Sequence, residues 1–211
     1  MHDDQSTWTM DDTTRASNPG GIRLNPLQWF KSYPTWPCLW LGLLAGSIFL
    51  AFFNWYFWIA ACLFLAMNGL YWQRVKEHFK HGCANPGVVV SLDPMLIAVC
   101  TDLTKGIGEY PAVRIISKKM GTICGQIPQV GTRVATVALY SASVDENLPH
   151  WESFDPRPVD CATTDLNAMY GVMNSFAEED WQELASFLSQ VEQPFRPGLF
   201  PVQPLNYLRR Q

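Results

Sequence analysis

The chain has 211 residues, which allows one domain or two, and a formal net charge of −4 at pH 7. Charged residues make up 16% of the sequence, against roughly 25% in an average soluble domain, and aromatic residues reach 13%. Between Lys31 and Arg74 there are 42 consecutive residues without a charge. Such a run excludes an ordinary soluble core helix, and the sequence lacks the concentrated basic stripe of a nucleic-acid surface.

The first 30 residues are acidic and rich in Thr and Ser. A secretory signal peptide would begin with Lys or Arg, whereas this segment carries four early aspartates, Asp3, Asp4, Asp11 and Asp12. The composition predicts a disordered N-terminal tail over residues 1–30.

The apolar run from Trp36 to Trp72 is too long for one membrane crossing. Its 37 residues would form a helix of about 55 Å, against about 30 Å for the hydrocarbon core of a bilayer. Trp and Tyr, which favour the two interfaces of a bilayer, cluster at both ends and in the middle of the run. The sequence therefore predicts a transmembrane helical hairpin over 31–80, with spans of about 37–53 and 55–72.

Basic residues flank this hairpin on both sides, and its connecting turn has no charge. They are Arg23 and Lys31 before it and Arg74, Lys76 and Lys80 after it. Because segments with an excess of Lys and Arg remain in the cytoplasm, both termini are expected there. The predicted location is the cell (inner) membrane, as a multi-pass protein.

The pattern changes after residue 81. Apolar runs typical of strands follow, separated by Gly and Pro: PGVVVSL, MLIAVCTDL, PAVRIISKK and TRVATVALYSA. They predict a small antiparallel barrel of SH3-like or OB-like type over about 84–145. The predicted fold class is a membrane α-helical hairpin plus an α+β soluble domain, in which a cytoplasmic barrel-plus-helix unit occupies 81–193.

Two helices are predicted after the strands, one near 165–173 and one near 176–191. The second carries Trp181, Leu184 and Leu188 on one face, so we expect it to pack on the barrel. The last segment, 194–211, contains four prolines and predicts an extended tail. Such a tail either wraps its own domain or offers its PxxP spacing to an SH3-type partner.

Residues with metal-binding or catalytic potential are few. Six cysteines occur without a C-x-x-C motif and indicate small apolar residues of a reducing compartment. His78, His81 and Cys83 are the candidate metal ligands, but they lack a fourth ligand at a recognised spacing, and polar residues at the membrane–domain junction are the simpler interpretation. Motifs of hydrolases, phosphate-binding loops and zinc proteases are absent. The sequence predicts no catalytic residue, no cofactor-binding residue and no cofactor.

Charge divides the chain between a mildly basic and an acidic part. Residues 73–150 carry eight basic and six acidic side chains, whereas residues 151–211 carry four basic and nine acidic ones. The basic side chains of the strand region are expected to face either anionic lipid head groups or the acidic helix of the same chain. They are Arg114, Lys118, Lys119 and Arg133.

Three segments, HGCANPGVVVSLDPMLIAVCTDLTKG, FDPRPVD and EEDWQELASFL, carry a resemblance. Across about residues 37–191 the chain resembles a bacterial membrane-anchored family of unknown function, in which a two-span hairpin precedes a small cytoplasmic β-rich domain. This resemblance implies no catalytic residues. PQVGTRVATVALY is also similar to the closing strands of barrel domains in bacterial membrane proteins that partner stomatin-like scaffolds. Likeness of fold does not by itself give a function.

Together these features predict a membrane-anchored, non-enzymatic interaction or scaffold module. Its expected partners are the lipid bilayer and other membrane proteins, with no nucleic acid. Two alternatives remain open. One is a subunit of a larger membrane complex. The other is an enzyme, or an accessory to one, with a site at the barrel–membrane junction around His78, His81, Cys83 and Asp93.

Overall fold

The computed structural model describes residue 16, residues 18–142 and residues 148–204. Three helices come first, α1 (Pro26–Ser32), α2 (Thr35–Ala51) and α3 (Phe57–His81). Five strands follow, β1 (Cys83–Leu92), β2 (Met95–Asp102), β3 (Pro111–Ser117), β4 (Arg133–Ser141) and β5 (Ser153–Pro158). After a short 3-10 turn (Val159–Cys161), the chain forms α4 (Leu166–Met173), α5 (Glu178–Leu188) and β6 (Gly198–Pro201).

The six strands form one antiparallel sheet in the order β5-β4-β1-β2-β3-β6. The sheet curls enough to bring β5 near β3, where Arg114 donates a hydrogen bond to Ser153 at 2.5 Å, but it remains open between β5 and β6. The prediction of a closed barrel is therefore wrong. Strand-like runs along a sequence show that strands form, but they do not show whether the first and last strands of the sheet pair.

Both faces of the sheet are buried. Along β2, Leu96, Ala98 and Cys100 pack towards the helices, whereas the alternate residues Ile97 and Val99 belong to a second apolar cluster on the opposite face. A strand that is covered on both sides needs apolar residues at every position, which is why MLIAVC shows no polar alternation.

The prediction of two membrane spans is also wrong. α2 and α3 pack against each other, and they lie close to the two segments predicted as spans. Within the described residues, however, no single helix is both long and apolar enough to cross a bilayer. α1 and α2 pass that test of length and composition only as a pair, and they meet at an angle of 106°. The 17 residues of α2 extend about 25 Å, and the apolar part of α3 ends at Trp72, before Gln73 and Arg74.

The N-terminal segment joins the folded domain earlier than predicted. Gly20 donates its backbone N–H to Gly82, and Ile22 donates to Phe79, so residues 20–22 run beside the end of α3. Trp29 on α1 is almost completely buried, with 1% exposure. The predicted disordered tail over 1–30 therefore does not hold for residues 18–30. Its earlier part, residues 1–15 and residue 17, lies outside the described residues.

The C-terminal elements cover the sheet. α4 and α5 correspond to the helices predicted near 165–173 and 176–191. α5 buries Trp181, Leu184 and Phe187 against the sheet, and Arg133 on β4 forms an ion pair with Glu178 at its first turn. β6 then pairs with β3, although the prolines of the predicted tail argued against a strand. Residues 205–211 of that tail lie outside the described residues.

His78 joins α3 to the sheet from a buried position. Its Nε2–H donates to the carbonyl oxygen of Val137 on β4 at 2.8 Å, and the ring is 3% exposed. Burial lowers the pKa of His78 to about 4, because the charged imidazolium would lose its hydration there. The neutral ring is therefore the form that the folded protein holds.

We expect the stability of the protein to depend on pH through His78. The folded-state pKa of about 4 lies below the ordinary value of about 6.5, so the unfolded chain takes up the proton first. The stabilisation is complete above about pH 6.5 and is lost as the pH falls towards 4, by about 3 kcal/mol. Urea unfolding at pH 7.5 and 4.5 should show a larger loss for the natural chain than for His78→Gln. Equal losses would contradict this prediction.

We expect α5 to contribute directly to stability through its buried face. Leu184 is 2% exposed, so Leu184→Ala should destabilise the protein by about 2–4 kcal/mol through lost burial and an unfilled cavity. Gln182→Ala, at an exposed position of the same helix, is the matched control and should change stability by less than about 0.5 kcal/mol. Urea unfolding followed by tryptophan fluorescence measures both. A similar unfolding midpoint for the two variants would show that the helix is not docked.

Candidate functional site

The candidate metal ligands do not converge. His78 is buried and bonded to Val137, His81 is half-buried, and the Cys83 thiol lies 3.7 Å from the carbonyl oxygen of Ala84. In the part of the chain that the structure describes, no group of three His, Cys, Asp or Glu residues is arranged to hold a metal ion. The observed role of His78 is to connect α3 with β4.

Asp93, the fourth residue of the predicted junction site, lies far from the other three. It occupies the turn between β1 and β2, and the whole of β1 separates it from Cys83. At about 3.3 Å per residue, this strand places the two residues roughly 30 Å apart. The structure therefore does not bring the four residues of the enzyme hypothesis together.

The most extensive unusual surface is the apolar exterior of α2, α3 and their connecting turn. Seventeen large apolar or aromatic side chains between positions 36 and 70 are exposed there. They are Trp36, Leu39, Leu41, Leu43, Ile48, Phe49, Leu50, Phe52, Phe53, Trp55, Tyr56, Phe57, Trp58, Ile59, Leu63, Leu65 and Leu70. We call this set the apolar surface. Soluble monomers rarely expose this many large apolar side chains, so the apolar surface is a candidate interaction site.

A cavity of about 810 Å³ lies where the apolar surface meets the sheet, and we call it the junction cavity. α1, α2 and α3 form one wall, and residues of β3, β5 and their flanks form the other. It is lined by Trp29, Tyr33, Trp36, Trp40, Met67, Leu70, Tyr71, Arg74, Ile116, Ser117, Lys118, Asp155, Pro156 and Arg157. Its volume is in the range of small-molecule and cofactor sites, and its lining combines aromatic rings with three cations and one carboxylate.

Aromatic packing fixes the inner part of the junction cavity. The indole N–H of Trp29 donates to the hydroxyl of Tyr71 at 2.8 Å, and the ring stacks on Tyr33 at a centroid distance of 4.3 Å. Phe79 meets the same indole edge to face at 5.5 Å. Burial raises the pKa of Tyr33, so its phenol remains neutral at physiological pH.

The three cations of the junction cavity differ in their partners. Lys118 donates to the backbone oxygen of Ser32, and its ammonium lies 3.5 Å from the centroid of Tyr33. Arg157 forms an ion pair with Asp155 at 2.8 Å and lies 5.2 Å from the Trp29 ring. Arg74 is exposed and, among the described residues, has neither a hydrogen-bond partner nor an ion-pair partner. Burial lowers the pKa of Lys118.

A second basic cavity, of about 640 Å³, is also lined by residues of α3. Its lining includes Arg23, Trp72, Lys76 and Lys80. Cations and aromatic rings therefore line two separate cavities beside the polar part of α3, just beyond the last exposed apolar residue of that helix. Arg23 lies on the N-terminal segment, which the structure packs against α3.

An acidic cleft lies at the other end of β3. The junction cavity is lined by Ser117, at the end of this strand, whereas the cleft is lined by Pro111, at its start. Four carboxylates line the cleft, those of Asp102, Glu109, Asp180 and Glu183. Partial burial and three neighbouring carboxylates raise the pKa of Glu183. Positive and negative charge are thus separated along the domain.

Sequence reasoning found part of this site. It singled out Lys118 as a lipid-facing or helix-facing cation, and it recognised an aromatic cluster at the start of the apolar run, where Trp36 and Trp40 lie. It missed Trp29, Tyr33 and Arg157 as lining residues, because the first two were assigned no role in a folded domain and the third lies in FDPRPVD, about 80 residues beyond α3. The local signal that was available was Asn25-Pro26, an N-cap followed by Pro at the first helical position.

Comparisons with known proteins give a family and a structural neighbour. Residues 72–192 match the family described as "Protein of unknown function (DUF3239)". A crystal structure of a "putative membrane protein from Corynebacterium diphtheriae" aligns with a TM-score of 0.48 and 20% identity, covering 56% of this chain and 99% of that chain. A comparison with curated proteins found no match. The expectation of an uncharacterised family is thereby confirmed. Residues 72–192 are more than half of the chain, and the chain therefore belongs to the DUF3239 family.

Proposed function

We propose that this protein is a non-enzymatic interaction module that binds to an anionic lipid bilayer through its apolar surface and presents the sheet domain beside the membrane. The observation that carries this proposal is the set of exposed apolar side chains on α2, α3 and their turn. Exposed residues there include Phe52 and Phe53, at 78% and 76% exposure, and burying each such side chain contributes roughly 1.5–3 kcal/mol. We further propose that the sheet lies on the cytoplasmic side.

The order of residue types along α3 supports a lipid occupant rather than an apolar protein groove. The helix begins with exposed Phe57, Trp58 and Ile59, and its aromatic residues Tyr71 and Trp72 precede Arg74. Apolar residues, then an aromatic belt, then cations is the order that a bilayer meets from hydrocarbon through interface to head group. A protein partner has no physical reason to require this order.

The separation of charge supports the same orientation. The two basic cavities border the apolar surface, and the acidic cleft lies at the far end of β3. Anionic lipids on the cytoplasmic leaflet attract basic side chains close to the surface, by about 1 kcal/mol each, and repel carboxylates. An orientation with the apolar surface in the lipid therefore places both kinds of charge favourably.

We expect the tip of the helix pair to determine membrane affinity. Phe53→Asp should lower the partition coefficient onto phosphatidylglycerol vesicles by about tenfold or more, because a carboxylate is costly to bring into hydrocarbon. Ile107→Asp is the matched control. Ile107 is 96% exposed in the loop between β2 and β3, outside the apolar surface, and this change should leave the partition coefficient within about twofold. Vesicle titration followed by flotation measures both variants.

Two results would contradict the proposal. One is a natural chain that stays off both phosphatidylglycerol and phosphatidylcholine vesicles, and the other is an equal loss for Phe53→Asp and Ile107→Asp. If the chain avoids vesicles but purifies from membranes with other proteins in mild detergent, the alternative of a subunit in a larger complex is favoured.

A native cysteine provides a second test. Cys62 is exposed on α3 between Ile59 and Leu63 of the apolar surface, so lipid should cover it. On vesicles, a water-soluble maleimide should modify a chain with Cys62 as its one thiol at least about tenfold more slowly than a chain with Ser189→Cys as its one thiol. Ser189 follows α5 at an exposed position. Equal rates would show that α3 is outside the lipid.

A further inference from the structure

We propose that the junction cavity binds one molecule of an anionic phospholipid, with its phosphate between Arg74 and Lys118 and an acyl chain along Trp36, Trp40 and Leu70. This inference rests on the proposed membrane function and deepens it. It distinguishes a specific lipid site from general adhesion to a charged surface.

The apolar wall of the cavity is continuous with the apolar surface. Trp36 and Leu70 belong to both, and each is more than half exposed. Trp40 and Met67 also belong to this wall. An acyl chain can therefore enter from the surrounding lipid along apolar side chains. A small water-soluble anion would leave this apolar wall uncovered, which argues for an amphiphile.

The two cations lie on opposite walls of the cavity, Arg74 on α3 and Lys118 directly after β3. Arg74 has five N–H donors and no partner among the described residues, so it can bind two oxygens of a phosphate side by side. Lys118 is held in place by the backbone oxygen of Ser32 and by the Tyr33 ring. Both of these partners are uncharged, and an anionic ligand would supply the counter-charge that the lysine lacks.

The single carboxylate of the cavity sets the charge of the preferred ligand. Asp155 forms an ion pair with Arg157, so these two side chains neutralise each other. Arg74 and Lys118 remain, with two positive charges facing the cavity. A lipid with net negative charge, such as phosphatidylglycerol, satisfies them, whereas the choline group of phosphatidylcholine would bring a third cation close to both.

The test is lipid binding by the full chain in a neutral detergent, where no charged bilayer exists. Phosphatidylglycerol with brominated acyl chains should quench tryptophan fluorescence saturably, and native mass spectrometry should show one retained lipid. Arg74→Gln should weaken this binding about fivefold or more. Arg74 is exposed and forms no hydrogen bond or ion pair with another described residue, so the variant should fold, and its unfolding midpoint verifies this.

Lys76→Gln is the matched control. Lys76 lies two residues further along α3, is also exposed, and lines the second basic cavity instead. Both variants lose one charge, so general attraction to anionic vesicles should fall equally in the two. Binding in detergent should fall only in Arg74→Gln.

Three results would overturn the inference: equal weakening by the two variants in detergent, equal retention of phosphatidylcholine, or complete displacement of the lipid by millimolar inorganic phosphate. Failure of the natural chain to bind vesicles would instead remove the proposed function itself. If vesicle binding persists while binding in detergent is unselective, the function stands and the specific site does not.

Discussion

The packing of Trp29 is the interaction on which the arrangement of this protein depends. The indole is almost fully buried, stacks on Tyr33, meets Phe79 and donates its N–H to Tyr71. These contacts join α1 to α3 beside the sheet, and α1 leads directly into α2. Together with His78, which bonds α3 to β4, this side chain couples the base of the helix pair to the sheet domain.

Because of this coupling, the apolar surface and the charged cavities hold fixed positions relative to each other. α3 is one continuous helix that carries exposed apolar residues in its first half and cations in its second half. Its end is held by the buried His78 and Phe79. The basic residues of the two cavities are therefore rigidly placed beside the apolar surface, and the acidic cleft is kept away from it.

The sequence predicted the helices and strands better than it predicted how they assemble. The uncharged run correctly indicated two apolar helices, and apolar runs such as PAVRIIS correctly indicated strands. The length of the run and its three aromatic clusters led to the prediction of membrane spans. The predicted spans, about 37–53 and 55–72, left one residue for a turn that occupies residues 52–56 in the structure. Closure of the barrel was not predictable either, because it depends on the pairing of β5 and β6, which no local pattern encodes.

For the candidate site, the sequence identified some of the residues that line it, but not which of them lie close together in the fold. Lys118 and Arg74 were noticed as cations, whereas Trp29 lay in a segment whose acidic beginning suggested disorder over its full length. Its burial depends on Phe79 and Tyr71, which are more than 40 residues away. Contacts of this kind arise from tertiary packing, which overrides local composition.

The open sheet has two edges, and their composition bears on how copies of the protein behave at high local density. Unpaired edges are templates for strand addition between chains. Here β5 carries Pro156 and Pro158, which have no backbone N–H, and β6 has only four residues and ends at Pro201. An approaching strand finds few donors at either edge. The sheet is therefore protected against edge-to-edge aggregation where a membrane would concentrate many copies.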